Sequence, residues 1–302
     1  MLINYNMLLF NNKKIKIQSL ELKNKSKKNV VNVLRLDEID KVISGNKIFK
    51  LQVSVQKAIE LKYSGIVTCG GAFSNHIVAT AATCNALGLK SKGIIRGETI
   101  PFNHTLQHAT ENGMELFFVD RKSFKDKKKL QQQFEKDGYY WINEGGYSID
   151  GAVGAAEICN YIDDSYTHIV CACGTGTMMA GIIKGANTHQ QVIGISVLKG
   201  YQNLENDIAA LLTETEKNKS FQVLHNYHFG GYAKHPQSLI NYMNDCYQQH
   251  HLPTDIIYTS KLIFAVEDLL SQQYFGESAK IMVIHSGGLQ GNLSLPKNTL
   301  VF

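Results

Sequence analysis

Lys47 follows the turn Ser44-Gly45-Asn46 and opens a run with apolar residues at Phe49, Leu51, Val53, Val55, Ala58 and Ile59. That run predicts a helix, and a helix start attracts anions rather than cations. A lysine there is either an ordinary surface charge or an amine consumed in a Schiff base with an aldehyde cofactor. Two further segments favour the chemistry. In Thr68-Cys69-Gly70-Gly71-Ala72-Phe73-Ser74-Asn75-His76, after the apolar stretch Gly65-Ile66-Val67, a strand runs into a glycine turn and a helix from Asn75 to Leu87. Ser74, Asn75 and His76 crowd that helix start, where unpaired N–H groups suit a carboxylate, although a plain N-cap would look the same. In Ile169-Val170-Cys171-Ala172-Cys173-Gly174-Thr175-Gly176-Thr177, a buried strand ends in a turn whose backbone N–H groups can cradle a phosphate. The third glycine of a dinucleotide fingerprint would fall at Met179, and no Gly-Lys-Ser/Thr follows, so a monophosphate fits better than a dinucleotide or a nucleoside triphosphate.

The elements that must position these residues alternate along the chain. Apolar runs at Gly93–Ile95, Leu116–Val119 and Tyr140–Ile142 precede helical windows near His104–Asn112, Phe124–Lys136 and Gly151–Ile162. The beat resumes at His168–Cys171, Val192–Val197 and Ile281–Ile284. Such alternation predicts parallel sheets covered by helices. At 302 residues the chain can build two α/β lobes, and 44% apolar with 19% charged residues is ordinary for a soluble globular protein. The net charge is +5, with lysines clustered from Lys13 to Lys28 and from Lys122 to Lys129. Neither cluster has the aromatics or glycines of a nucleic-acid module, so both read as solvated faces and no nucleic-acid partner is expected. Met7–Phe10 is too short for a signal core or a membrane span, so no membrane partner is expected. The six cysteines are scattered without metal-ligand spacing, which predicts buried thiols, no metal and a cytoplasmic setting.

Taken in order, the three segments resemble the pyridoxal-phosphate enzymes of the tryptophan synthase β-like fold (fold type II). More narrowly, they resemble the family of 1-aminocyclopropane-1-carboxylate (ACC) deaminase and D-cysteine desulfhydrase. Its Gly-Asn-Lys-x-x-Lys pattern falls on Gly45, Asn46, Lys47 and Lys50, and its Ser-Asn-His pattern on Ser74–His76. Its closing His-x-Gly-Gly pattern falls on His285–Gly288. The resemblance runs from about Leu34 to Asn292 and is poor across 185–250, except at Phe229-Gly230-Gly231-Tyr232. It implies two lobes, each a mostly parallel twisted sheet covered by helices, with the cofactor in the cleft. The large lobe would comprise 1–49 and 156–302 and the small lobe 50–155.

The resemblance also implies roles. Lys47 would carry pyridoxal 5'-phosphate and, once freed, act as general base. Asn75 would bond the ring hydroxyl, while Gly174, Thr175, Gly176 and Thr177 hold the phosphate. Ser74 would act at the substrate carboxylate with the N–H groups of Asn75 and His76. Tyr258 would orient the substrate or exchange a proton with it, with Tyr232 and His76 beside it. A homodimer is implied as well. Two positions separate the activities. The residue after the tyrosine, Thr259, would face the pyridine nitrogen, where ACC deaminases carry Glu. The residue after the closing histidine, Ser286, also implied at the cofactor, is Leu in ACC deaminases and a hydroxyl residue in D-cysteine desulfhydrases. Thr259 could instead cap the helix expected near Lys261. Both positions point to elimination of D-cysteine to pyruvate, ammonia and sulfide, ahead of ACC deamination. A non-catalytic binder of the same fold is the remaining reading. Cysteine synthase and threonine dehydratase relatives fit less well, because their Ser-x-Lys and Ser/Thr-rich loops do not match Ser44–Lys47 and Ala72–His76.

Overall fold

The computed structural model describes residues 15–22, 28–40, 42–43, 45–97 and 102–302. Met7–Phe10, Ser44 and the lysines of the first cluster other than Lys16 and Lys28 lie outside the described residues.

In chain order the strands are β1 (Lys16–Ser19), β2 (Val30–Arg35), β3 (Gly65–Gly71), β4 (Lys90–Arg96) and β5 (Met114–Val119). They continue with β6 (Tyr139–Ile142), β7 (His168–Cys173), β8 (Gln191–Ser196), β9 (Phe221–Leu224) and β10 (Lys280–His285). A six-stranded sheet has the order β1-β2-β10-β7-β8-β9, and a four-stranded sheet has the order β5-β4-β3-β6. All neighbours are parallel except β1 with β2. Strand β7 shows why the sequence runs apolar without a break: Ile169, Cys171 and Cys173 join one core, while Val170 and Ala172 face another. A central parallel strand must satisfy apolar layers on both faces.

The helices are α1 (Asn46–Glu60), α2 (Asn75–Ala86), α3 (His104–Glu111), α4 (Lys127–Lys136) and α5 (Ile149–Ala156). After them come α6 (Thr177–Gly185), α7 (Leu204–Ala209), α8 (Glu214–Lys217), α9 (Gln237–His250) and α10 (Thr259–Ser271). Two expected helices are shorter than their windows. Asp126 accepts from the Lys129 amide at 3.1 Å and starts α4 three residues late, because a side-chain oxygen there satisfies a helix-start donor. Ser148 caps α5 through the Gly151 amide at 2.9 Å, and the chain beyond Ala156 tightens into a 3-10 turn over Glu157–Tyr161.

The two sheets share one continuous core, in which Ile48 and Phe49 of α1 join Ala152 and Ala155 of α5 and Ile182 and Ile183 of α6. Small residues make the close approach possible. A Cβ at Gly154 would lie 2.1 Å from the Phe49 carbonyl oxygen, and one at Gly181 would lie 2.5 Å from Ala155 Cβ. This packing holds the start of α1, and so Lys47, against both lobes.

All six cysteines are free, and five are buried. Among the described residues no group of three or more His, Cys, Asp or Glu could hold a metal ion, and no helix is long and apolar enough to cross a membrane. The second lysine cluster departs from a solvated face at one place. Lys127 turns inward, with Nζ 2.9 Å from the Phe124 ring centroid and 3.5 Å from Glu144. An aromatic face and a carboxylate together replace part of its water.

Candidate active site

The carboxyl ends of β3, β4, β7 and β10 open onto one cleft of about 790 Å³ between the sheets. Ligands of parallel α/β sheets collect at such ends, where strands stop and helix N-termini begin. Lys47, Ser74, Asn75, His76, Gly174, Thr175, Gly176, Thr177, Tyr232, Tyr258 and Ser286 all line it.

Lys47 enters from the first turn of α1. The preceding Gly45 has φ 70°, and a Cβ there would lie 1.8 Å from the Ser286 carbonyl oxygen. The same oxygen accepts from the Asn46 amide at 3.2 Å, which ties the lysine helix to the closing Ser286-Gly287-Gly288 loop. Lys47 Nζ donates to Asn46 Oδ1 at 2.8 Å. Burial pulls its ammonium down to about 8, against the opposing pull of the Asp255 charge. A buried amine that readily loses its proton is a nucleophile near neutrality.

The Gly174–Thr177 side of the cleft carries a second lysine. Lys50, one turn after Lys47 on the same helix face, is almost fully buried and lines the cleft. Burial first, and Lys47 second, hold it well below the usual lysine range. An anion at the Gly174–Thr177 turn would restore its charge. There Thr175 and Thr177 hydroxyls lie 2.9 Å apart, and α6 begins with its N–H groups toward the turn.

His76 is buried rather than exposed at its helix start. Thr68 Oγ1 donates to the Ile142 carbonyl at 2.8 Å, so the 2.9 Å contact with His76 Nε2 makes that ring nitrogen the donor. The other ring nitrogen, Nδ1, is a buried acceptor with no partner among the described residues. Burial and the charges of Lys50 and Lys47 hold the imidazole well below its usual range, so it is neutral. Asn75 Oδ1 accepts from Gln290 Nε2 at 2.8 Å, which fixes the amide at the cleft.

Across the cleft, Tyr258 and Tyr232 stack edge to face with ring centroids 6.1 Å apart. Burial, and then Tyr232, push the Tyr258 hydroxyl well above the usual range, so it keeps its proton. Thr259 is placed differently from its neighbours. It is fully buried and is not among the cleft-lining residues. Its hydroxyl donates to Asp255 Oδ1 at 2.6 Å and accepts from the Asp255 amide at 2.6 Å. Asp255 also accepts from the Ile257, Tyr258 and Thr259 amides at 2.9, 3.0 and 2.8 Å, capping the start of α10. Ser286 does line the cleft. Behind it His285 donates to the Pro253 carbonyl at 2.8 Å and stands 3.0 Å from Asp37, which Arg35 grips at 2.8 and 2.6 Å. Burial pushes the Asp37 carboxyl up, but His285 and Arg35 prevail and hold it well below the carboxylate range.

Lys50, Asp255 and Gln290 have no role in the motif comparison but contact or line the cleft's helix starts. Lys50 was detectable from its i+3 spacing to Lys47, and Asp255 from an acidic residue just ahead of a helix start. Gln290 carries no local signal.

These residues fit pyridoxal phosphate. Lys47 could supply the amine, Lys50 and the Gly174–Thr177 turn could hold a phosphate, and His76 Nδ1 is a buried acceptor with no partner among the described residues. A putative ACC deaminase of Pyrococcus furiosus is 29% identical over 283 residues, covering 86% of this chain and 85% of the relative. A D-cysteine desulfhydrase of Klebsiella pneumoniae is 24% identical, covering 85% and 86% respectively. The crystal structure of an ACC deaminase homologue superposes with a TM-score of 0.79 at 24% identity, covering 97% of each chain, which establishes the fold. The model of the pyridoxal-phosphate dependent enzymes matches residues 15–287, and the chain belongs to that family.

Proposed function

We propose that this enzyme deaminates a small amino acid, with ring opening of ACC to 2-oxobutanoate and ammonia ahead of elimination from D-cysteine. The observation that carries the deamination is Lys47. Its depressed amine stands in the cleft with the Ser74–His76 helix start, the Gly174–Thr177 turn and the protonated Tyr258.

The residues divide the work. Ser74 and the N–H groups at the start of α2 would bind the substrate carboxylate, and Asn75, fixed by Gln290, would bond the cofactor ring hydroxyl. The freed Lys47 amine takes a proton from carbon. Tyr258 keeps its proton and can donate it, with Tyr232 packed against its ring. Pyridoxal phosphate supplies the sink for the electrons released at the substrate.

The order of substrates reverses the one suggested by Thr259 and Ser286. Thr259 is spent on Asp255 and does not line the cleft, so only Ser286 remains as a discriminator in the wall. The relative called a putative ACC deaminase is more similar than the one called D-cysteine desulfhydrase, at 29% against 24% identity. Ser286 keeps D-cysteine as the second reading. The test is to incubate the cofactor-loaded protein with ACC and with D-cysteine, and to measure 2-oxobutanoate, pyruvate and sulfide. Release of 2-oxobutanoate alone supports the first reading, sulfide with pyruvate the second. Turnover of neither overturns both.

A further inference from the structure

We propose that Lys261 is a positioning residue whose ammonium holds the Gly230-Gly231 loop so that Tyr232 stands in the cleft against Tyr258. The proposal rests on the reading that the Tyr232–Tyr258 side of the cleft receives the substrate.

Lys261 lies in the first turn of α10 and is completely buried. A buried ammonium is costly unless paired, and a well-packed apolar side chain would serve the helix as well or better. Its Nζ donates to the Gly231 carbonyl at 2.8 Å, a contact that bridges 30 residues of sequence. Burial draws its ammonium down to about 8, opposed by the Asp255 charge. A strong link to one loop carbonyl is a better account of a lysine here than packing alone.

That loop needs an anchor. Phe229, Gly230, Gly231 and Ala233 have φ of 51°, 93°, 121° and 56°, a run of left-handed backbone that stores strain at the non-glycine positions. Its internal support is slight. Gly231 donates to the His228 carbonyl at 3.0 Å, Lys234 to the Gly231 carbonyl at 3.2 Å, and Gly230 to His228 Nδ1 at 2.9 Å. The attachments to α10 do more: Lys261 at one point and the Phe229–Phe264 ring pair, 4.8 Å apart, at another. Tyr232 follows Gly231 directly, is 47% exposed, and meets Tyr258 through its ring and hydroxyl. The same helix therefore carries Tyr258 at its N-terminus and, through Lys261, sets where Tyr232 stands.

The test uses the full-length, cofactor-loaded protein and the variants Lys261→Met, Lys261→Arg, Tyr232→Phe and the Met/Phe double variant. Backbone amide exchange is read over 228–234, with the first turn of α1 as internal reference, alongside KM and kcat on whichever substrate turns over. Loss of a charged hydrogen bond should speed exchange in 228–234 by about tenfold and leave the reference unchanged. KM should rise by about tenfold with kcat nearly kept, Tyr232→Phe should add little to Lys261→Met, and Lys261→Arg should restore most of both readouts. If Lys261→Met does not fold, Lys261→Gln, shorter and uncharged, should show the same loosening. Unchanged exchange in 228–234, or multiplicative effects of the two substitutions on KM, would overturn the proposal. A faster loop in a protein that turns over no amino acid would sustain the anchor and bring down the proposed function instead.

Discussion

The two ends of the cleft are built in different ways. At the proposed cofactor end, Lys47 and Lys50 share one helix turn, Ser74–His76 are consecutive, and Gly174–Thr177 form one strand-to-helix turn. Each piece is local, and its conformation follows from a glycine, a cap or a helix start. At the substrate end, Tyr232, Tyr258 and Ser286 come from three distant segments, joined by Asp255, Lys261 and the closing loop. The cofactor end is specified by short stretches of backbone, the substrate end by which loops other elements hold in place. Chemistry common to a family can reside in the first, while substrate choice can change through the second.

The sharpest break of that contrast is at the cofactor end. Replacing Lys47 with Ala should lower turnover by about a thousandfold or more and abolish the absorbance of the lysine-bound cofactor. An unchanged band in the variant would show that another amine carries it.

Gly45→Ala tests whether the local backbone is as constrained as the contact with Ser286 implies. A Cβ 1.8 Å from a carbonyl oxygen in a left-handed position should cost about 2–4 kcal/mol in denaturant unfolding. Gly88→Ala is the control, since Gly88 has a similar φ of 68° but nothing within 4 Å of its added Cβ. It should cost only about 1 kcal/mol. Equal losses would mean that backbone strain alone, and not the closing loop, sets the demand at Gly45.

The depressed Lys47 amine predicts how the apoprotein takes up its cofactor. Only the unprotonated amine attacks the aldehyde, so the initial rate of band formation should rise by about tenfold per pH unit below the amine's transition. It should level off above about 8, the value to which burial pulls the group. A rate that keeps rising to pH 10 would mean the amine is solvated like a surface lysine.

At the substrate end the smallest effect is expected from Thr259→Val. The hydroxyl is tied to Asp255 at 2.6 Å in both directions, so its loss should cost about 1–3 kcal/mol of stability. Because Thr259 does not line the cleft, the ratio of ACC to D-cysteine turnover should stay within about threefold. A large change in that ratio would show that Thr259 reaches the cofactor ring after all. The pair Thr259→Glu with Ser286→Leu is a poorer switch than the motif comparison suggests, because the new carboxylate would be buried against Asp255.

Much of the fold was legible. The alternation of apolar runs and helical windows located β3 to β8 and β10: β3, β4, β7, β8 and β10 are central strands apolar on both faces, and the edge strands β5 and β6 were marked by their aromatic runs. Strand β2 carries an apolar run, Val30–Leu34, that went unread, whereas β1, the short β9 and helix α9 carried no comparable signal. Strand β1 is mostly solvent-facing, and the burial of α9 depends on a few residues such as Leu239, Ile240 and Met243. Of the cleft-lining residues, Lys47, Ser74, Asn75, His76 and Gly174–Thr177 could be grouped from sequence because their geometry is local.

By itself the sequence determined an α/β chain with a lysine opening one helix, a polar helix start after one strand and a phosphate-type turn after another. Those features depend on backbone conformations that nearby residues dictate. Only the tertiary structure decided that His76 is buried and neutral, that Lys127 turns inward, that Thr259 is spent on Asp255, and that Lys261 holds the loop bearing Tyr232. Lys261 reaches a carbonyl 30 residues away, His76 and the Lys127 ammonium are buried by other elements, and Thr259 meets an Asp255 four residues upstream that packing has buried with it. Desolvation and long-range hydrogen bonds exist only once the chain has packed.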